Sequence, residues 1–425
     1  MRERMRGFRE LVRLDEALER LRRKVTHRIA DSEYVSLQSA CGRICGEDLY
    51  APWDYPPYGR SAVDGYAVIA EDTFGASPTN PIKLRVVAEI EAGMDPSKIP
   101  EMGRGEAVEV LTGAPIPRGA TAVIPAEEAE RRGGEIEVHG EVYPGQNISK
   151  KGEDFKAGEA IIHRGELIKP WHIGVAATFG MRELKVLRKP RAALLSTGNE
   201  LVEPGEGLRP GQIYNSTKPM LASALRSLGC SVVDLGTSRD DPDEILAKMI
   251  EGVRGCDLVI VTGGTSIGAR DLVPEAVSKI GEVVVHGLAI RPGKTAGLAV
   301  IDGKPVYMLS GFPVASLIQF WKLVIPAIEH MTGCRFDPAP RIRGRLVRRV
   351  ASPPGIRSFI RVRVLEARGG EIIIEPLRLT GSGVLSTLTL GNGLLVIPEE
   401  VEGYEEGEAV DVELFSPVIR LGDET

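Results

Sequence analysis

A chain of 425 residues, 43% hydrophobic and 26% charged, has the make-up of a folded protein of two to four domains rather than a disordered or fibrous one. Its net charge of −6 excludes the global basic field that draws a chain to nucleic acid or to an anionic membrane. No apolar run approaches the roughly 20 residues of a membrane helix, and the charged N-terminal stretch lacks the apolar centre of a secretion signal, so the cytoplasm is the expected compartment.

Leu11, Leu14, Leu18, Leu21 and Val25 recur at intervals of three and four, which predicts an amphipathic helix. The cysteines are five (Cys41, Cys45, Cys230, Cys256 and Cys334), with no C-x-x-C pair, and are read as buried thiols. Residues 51–66, APWDYPPYGRSAVDGY, carry too much proline, glycine and aromatic content for a regular element. From about 82 to 142 the segments IKLRVVAEI, EAVEVLTG, TAVIPAEEA and GEIEVHG predict strands of a small β-rich domain. Glycine-punctuated loops follow over 145–180, with a helix near PWHIGVAATFG.

From 190 onward strand and helix alternate. RAALLSTG, SVVDLG, DLVIVTGG, EVVVHGLAI and PVYMLSG are the predicted strands. Helices are predicted from Ser216 to Leu228 with Gly229 as a stop, behind Asp241 as N-cap with Pro242 first, after Asp271, and from Pro313 to about Met331. Such βαβ repetition implies a parallel sheet. Each strand runs into a Gly- or Ser-rich segment (STGNE, GTSRD, TGGTS, RPGKT, LSGFP), and strand ends of this kind share one rim, where ligands bind. Beyond CRFDPAP the helices stop, and 341–415 predicts a small β barrel or sandwich. Its arginines, at 341, 343, 345, 348, 349, 357, 361 and 363, suit outward strand faces.

Two motifs on the rim mislead. Gly264-Thr-Ser-Ile-Gly268 has the form of a hydrolase nucleophile elbow, but the only downstream histidines are His286, at a strand position, and His330, at the end of a long helix. A glycine loop whose amides face a phosphate explains Ser266 better. Gly293-Lys-Thr295 looks like the end of a P-loop, but Leu288 stands where that motif's first glycine belongs. What remains is Arg291-Pro-Gly-Lys294, two cations on a turn, suited to an anionic ligand. Loop carboxylates complete the set: Asp64, Asp154, Glu200 and Asp271 are of the kind that holds Mg²⁺ against phosphate, though each taken alone reads first as a turn or capping residue and only their shared setting favours the cation.

The segments PPYGRSAVDGYAV (56–68), KKGEDFKAGE (150–159), STGNEL (196–201), GQIYNST (211–217), TGGTSIGARD (262–271), RPGK (291–294), LSGFPVAS (309–316) and GSGVLSTL…GNGLLVIPE (381–399) together resemble the molybdopterin molybdenumtransferase family, which includes the E domain of gephyrin. The resemblance covers nearly the whole chain. It implies a multi-domain α/β protein: a discontinuous linker domain (8–52 and 143–185), a β-rich insertion (53–142), a molybdopterin-binding α/β domain with a mostly parallel sheet (186–336) and a C-terminal β barrel (337–425). It also implies a homodimer that takes adenylylated molybdopterin from a separate pterin-adenylylating protein. Molybdate or tungstate is inserted, AMP leaves, and Mg²⁺ or Zn²⁺ takes part.

By that resemblance Gly263, Gly264, Thr265 and Ser266 cradle the pterin phosphate, aided by the helix that starts at Pro313. Ser196, Thr197 and Gly198 line the same rim, as do Ser310, Gly311 and Ser316. Arg291, Pro292, Gly293 and Lys294 meet the anion. Asp271 and Glu200 hold the divalent cation, and Asp64 and Asp154 join the catalytic set from distant sequence. Val63 replaces the usual Met, Asn199 the common Asp, Arg291 the commoner Lys, and Gly311-Phe312-Pro313 the usual Gly-Asn-Pro. The rival readings are a non-catalytic molybdopterin-binding scaffold and a pterin adenylyltransferase.

Overall fold

The computed structural model describes residues 11–265, 272–377 and 381–421. The chain forms two compact units, one of residues 47–164 and 170–182, the other of the remainder.

The larger unit opens with α1 (Leu14–Lys24), which buries Leu14, Ala17 and Leu21 and sets Asp15 and Glu16 at its positive end and Arg22, Arg23 and Lys24 at its negative end. The smaller unit is built on β1 (Gly65–Val68), β2 (Ile82–Ile90), β3 (Glu106–Val110), β4 (Ala122–Pro125), β5 (Ala129–Arg132) and β6 (Glu135–Val138), in sheet order β4-β1-β3-β2-β6-β5, followed by α2 (Pro170–Thr178). The predicted β-rich segment is therefore one six-stranded sheet, its core formed by residues such as Val68, Leu84, Ile124 and Ile136.

The α/β part of the larger unit runs β7 (Arg191–Thr197), α3 (Thr217–Ser227), β8 (Ser231–Ser238), α4 (Pro242–Gly255), β9 (Leu258–Thr262), α5 (Leu272–Ile280), β10 (Glu282–His286), β11 (Ile290–Arg291), β12 (Gly297–Ile301), β13 (Lys304–Leu309), α6 (Pro313–Gln319) and α7 (Ile325–Thr332). The sheet order is β8-β7-β9-β13-β12-β10. Strands β8, β7, β9 and β13 are parallel, as the βαβ pattern requires. β12 was not foreseen and is antiparallel to β13. The two form a hairpin through Asp302 (φ 51°) and Gly303 (φ 73°), an Asp-Gly turn that the sequence does contain.

Central strand β9, LVIVT, is buried at every position, as expected of a strand covered by helices on both faces. One core joins α1, α3 and the long C-terminal helix to one face of the sheet, and a second joins α4 and α5 to the other. Asp241 caps α4, its carboxylate accepting from the amides of Asp243 (2.9 Å) and Glu244 (3.5 Å), with Pro242 in the first turn. The helix expected from Pro313 to Met331 is interrupted by a π turn at Phe320–Val324. Pro326 follows and has no N–H to return to the carbonyl four residues back, a local cause for a widened turn.

The C-terminal strands are β14 (Arg341–Leu346), β15 (Arg357–Glu366), β16 (Ile372–Pro376), β17 (Gly393–Ile397) and β18 (Ala409–Leu414). Their pairing β15-β16-β14-β18-β17-β15 closes a five-stranded barrel. Most of the arginines are exposed, but Arg361 is 2% exposed, against expectation: it lies on the face of β15 opposite the barrel-core residues Ile360 and Val362, and Gly381 and Thr387 cover that face. Cys45, Cys230, Cys256 and Cys334 are buried, whereas Cys41 is exposed.

Candidate functional site

Because β7, β8, β9 and β13 run parallel, the loops after them meet on one rim, where they enclose a cavity of about 370 Å³. Its floor is built from Thr197 and Gly198 after β7, Gly263, Gly264 and Thr265 after β9, and Ser310, Gly311 and Pro313 after β13. Two glycines are required here by contact as well as by backbone. Gly263 (φ +87°) lies so close to β7 that a Cβ would stand 2.4 Å from the Thr197 carbonyl oxygen. At Gly264 (φ +63°) it would stand 2.8 Å from Val273 Cγ2. Only glycine lets this loop lie flat against the strand end and leave its backbone open to a ligand. Beneath it Ser196 Oγ and Thr262 Oγ1 share a hydrogen bond at 3.0 Å, and Thr217 Oγ1 donates to Gly311 O at 2.9 Å.

Two carboxylates line this cavity, Glu200 and Asp240, with no Lys or Arg among the described lining residues. Glu200 folds back over Gly198, where a Cβ would lie 2.8 Å from Oε2. Asp240 is held by Asn199, whose Nδ2 donates to Asp240 Oδ2 at 3.2 Å while the Asp240 amide donates to Asn199 Oδ1 at 3.2 Å.

A second cavity of about 330 Å³ adjoins the first, the two sharing Ser310 and Phe312. Arg291, Pro292, Gly293 and Lys294 line it, so the RPGK turn is not on the sheet rim as expected. After β10 the chain leaves the sheet, and β11 pairs instead with barrel strand β15. Arg361 enters from the barrel side. Among the described residues its guanidinium donates to neutral acceptors, Thr387 Oγ1 (3.2 Å), Phe359 O (3.1 Å) and Gly381 O (3.4 Å), and burial pulls its pKa below the usual arginine value. Three cations and no carboxylate therefore line this cavity among the described residues.

Gln319 ties the two cavities together. It is fully buried, accepts from the Ser310 amide (2.8 Å) and donates to Gly293 O (2.8 Å), and a Cβ on Gly293 would lie 2.6 Å from its Nε2. Thr265 Oγ1 adds a 3.5 Å contact to Thr295 Oγ1.

The structure thus brings Thr197, Gly198, Glu200, Gly263, Gly264, Thr265, Ser310, Gly311 and Pro313 into one cavity, with Ser196 buried just below. Ser316 is fully buried, and its hydroxyl has no hydrogen-bond partner among the described residues. Ser266 and Asp271 lie outside the described residues. Asp64 and Asp154 belong to the smaller unit, both exposed. Thr112 Oγ1 and the Thr112 amide each donate to Asp64 Oδ1 at 2.6 Å and hold its carboxyl below the usual carboxylate range. The Asp154 amide donates to Tyr55 O (3.1 Å), and Gly152 N to Pro56 O (3.0 Å), so the GEDF and YPPY segments are stitched together.

Comparisons with known proteins agree with this architecture. Residues 12–180 match the MoeA N-terminal region (domains I and II), 193–330 a probable molybdopterin-binding domain, and 343–415 the MoeA C-terminal region (domain IV). A putative molybdopterin biosynthesis protein of Methanocaldococcus jannaschii is 39% identical over 90% of this chain and 92% of its own length. Molybdopterin molybdenumtransferase 2 of Mycobacterium tuberculosis is 36% identical over 89% and 94%. The chain belongs to the molybdopterin molybdenumtransferase family. A crystal structure of the molybdopterin biosynthesis MoeA protein of Pyrococcus horikoshii superposes with a TM-score of 0.83 at 35% identity, covering 96% of this chain and all of that one.

In this transferase of molybdenum cofactor biosynthesis, sequence reasoning missed Asp240, Arg361 and Gln319. Asp240 adjoins the recognised cap Asp241, and Gln319 is a lone amide in an apolar helix; both were visible signals. Arg361 was one arginine among eight on an apparently solvated face.

Proposed function

We propose that the protein inserts molybdate or tungstate into adenylylated molybdopterin and releases AMP. The observation that carries this reading is the partition of charge between two adjoining cavities: among the described residues, carboxylates without cations line one and cations without carboxylates line the other. A doubly charged oxyanion suits Arg291, Lys294 and Arg361, because a buried guanidinium whose partners among the described residues are all neutral gains most from one. The pterin phosphate suits the Gly263–Thr265 loop, whose open backbone can donate to it.

A phosphoanhydride beside Glu200 and Asp240 needs a divalent cation between like charges, and both residues fit one. They offer hard oxygen donors, and no Cys or His lines the cavity among the described residues, which favours Mg²⁺ over Zn²⁺. A bound ion would neutralise phosphate charge while water splits the anhydride, its oxygen going to one phosphorus and a proton to the leaving phosphate. The chain's own residues orient and desolvate. The glycine loop holds the phosphate, Asn199 braces Asp240, and Gln319 keeps the two anion sites at one spacing. No covalent nucleophile is required. Asp271 is assigned to the same cation with Glu200, and Asp64 and Asp154 remain catalytic candidates. A separate pterin-adenylylating protein supplies the substrate, and the working form is a homodimer.

The test is to incubate pure protein with adenylylated molybdopterin and Mg²⁺, adding molybdate or tungstate in turn. AMP release that depends on an oxyanion is expected; release indifferent to both would sink the insertion reading. Asp271→Asn retaining full activity would remove that residue's assigned role.

A further inference from the structure

Phe312 is 59% exposed, although it lines both cavities and is one of the two residues they share. Its position is held rather than loose. Its amide donates to Ser310 Oγ at 3.2 Å, and Pro313 behind it keeps the backbone extended (φ −76°, ψ 126°). Gly383 seats the ring: a Cβ there would lie 3.1 Å from Phe312 Cδ1 and 3.6 Å from Cε1. Ile213, 56% exposed, and Tyr214, 45% exposed, line the first cavity with Phe312. The Tyr214 hydroxyl donates to Glu206 O at 2.9 Å, which anchors that ring by its edge. Three large apolar side chains are thus held open to water around a cavity whose floor is polar. An apolar patch of this kind, rimmed by polar groups, marks a ligand surface.

We propose that Phe312 is a stacking platform for the pterin ring system of the substrate, with Tyr214 and Ile213 as further apolar lining, and that it sets specificity for a flat heterocycle. The inference rests on the function proposed above. With the phosphate on the glycine loop and the oxyanion by Arg361, the fused pyranopterin, whose pyran ring carries both the phosphate arm and the dithiolene, must lie where the two cavities meet, with its flat pyrimidinone end free to stack. Phe312 lies at that junction. The adenine is attached beyond the phosphate and does not need to pass it. A conjugated heterocycle stacks on an aromatic face in an offset geometry, gaining both covered apolar area and ring–ring attraction. A leucine of similar volume supplies only the first.

The experiment titrates the full-length protein with a fluorescent oxidised pterin bearing a side-chain phosphate and, separately, with AMP and with molybdate. Wild type, Phe312→Leu and Phe312→Trp are compared, with circular dichroism and gel filtration on each. Phe312→Leu is expected to weaken pterin binding about tenfold, Phe312→Trp to restore it, and AMP and molybdate affinities to stay unchanged. Equal pterin affinity in wild type and Phe312→Leu overturns the proposal, as does a loss that falls on AMP instead, or a change of oligomeric state with pterin binding intact. A wild-type protein that binds no pterin overturns this proposal and the function beneath it together. Wild-type binding without an effect at Phe312 overturns this one alone.

Discussion

Asn199 and Asp240 hold one another by two reciprocal hydrogen bonds, each 3.2 Å, across the loops that follow β7 and β8. An aspartate at 199 would set two carboxylates side by side; the amide instead donates to Asp240, which lines the first cavity. Orienting partners of this kind tune a cation site without touching the ion. Asn199→Ala is expected to raise the Mg²⁺ concentration for half-maximal AMP release about tenfold, with the rate recovered at saturating Mg²⁺. A loss of maximal rate with an unchanged Mg²⁺ requirement would assign Asn199 elsewhere.

Gly263 offers a steric test. A methyl group there meets the Thr197 carbonyl at 2.4 Å in a backbone conformation that side chains rarely adopt. Gly263→Ala is expected to cost about 1–3 kcal/mol of stability and to abolish oxyanion-dependent AMP release, because the loop must lift off β7. Thermal denaturation and the release assay read the two effects separately. Gly133, on an open turn with nothing near its Cβ position, is the control, with only the backbone part of the cost.

Arg361 separates stability from function. Its burial, with no carboxylate partner among the described residues, disfavours the charged form, so Arg361→Met is expected to be neutral or stabilising in a urea titration. The same change removes a cation from the second cavity, and molybdate affinity measured by calorimetry is expected to fall tenfold or more, on the order of 1.4 kcal/mol or greater. Opposite signs in the two measurements would support the oxyanion assignment. Unchanged molybdate affinity would refute it.

Asp257 predicts the acid limb of stability. Burial alone raises its carboxyl, but hydrogen bonds from Arg188 (2.7 Å), the Arg191 amide (2.7 Å) and His27 Nε2 (2.7 Å) together outweigh burial and bring it down to about 2. A carboxyl depressed in the folded state stabilises above its ordinary pKa near 4 and loses that contribution as pH falls toward 2. The urea midpoint of the wild type is therefore expected to drop between pH 4 and pH 2. Asp257→Asn should be less stable at pH 7 and show a flatter acid limb.

Much of the fold was legible from local pattern. IKLRVVAEI is a strand over all nine of its residues, Asp241-Pro242 starts a helix, and Gly229 at φ +78° stops one. Period and turn chemistry are written within a few residues, so they survive without knowledge of the partner. β12 escaped because its apolar run sits between two glycine-bearing turns and reads as loop; its Asp-Gly hairpin signal was present. The glycine loops after β7, β9 and β13 were legible for the same local reason, and the structure sets them together because parallel strands put their C-terminal ends on one side.

The sequence by itself determined which segments are strands and helices, that the strand ends carry ligand-type loops, and which residue types are available for anion and cation chemistry. Only the tertiary structure decided how those charges are sorted. It moved Arg291 and Lys294 off the sheet rim, drew in Arg361 from the barrel, placed Asp240 beside Asn199 from 41 residues away, and clipped Ser310 to Gly293 through Gln319. The reason is that burial and charge pairing depend on which distant surfaces meet. An arginine in an alternating strand has the same local pattern whether its face turns to water or to a cavity, and here the α/β loops and the segment at Gly381 cover the outer face of β15 and make it a cavity wall.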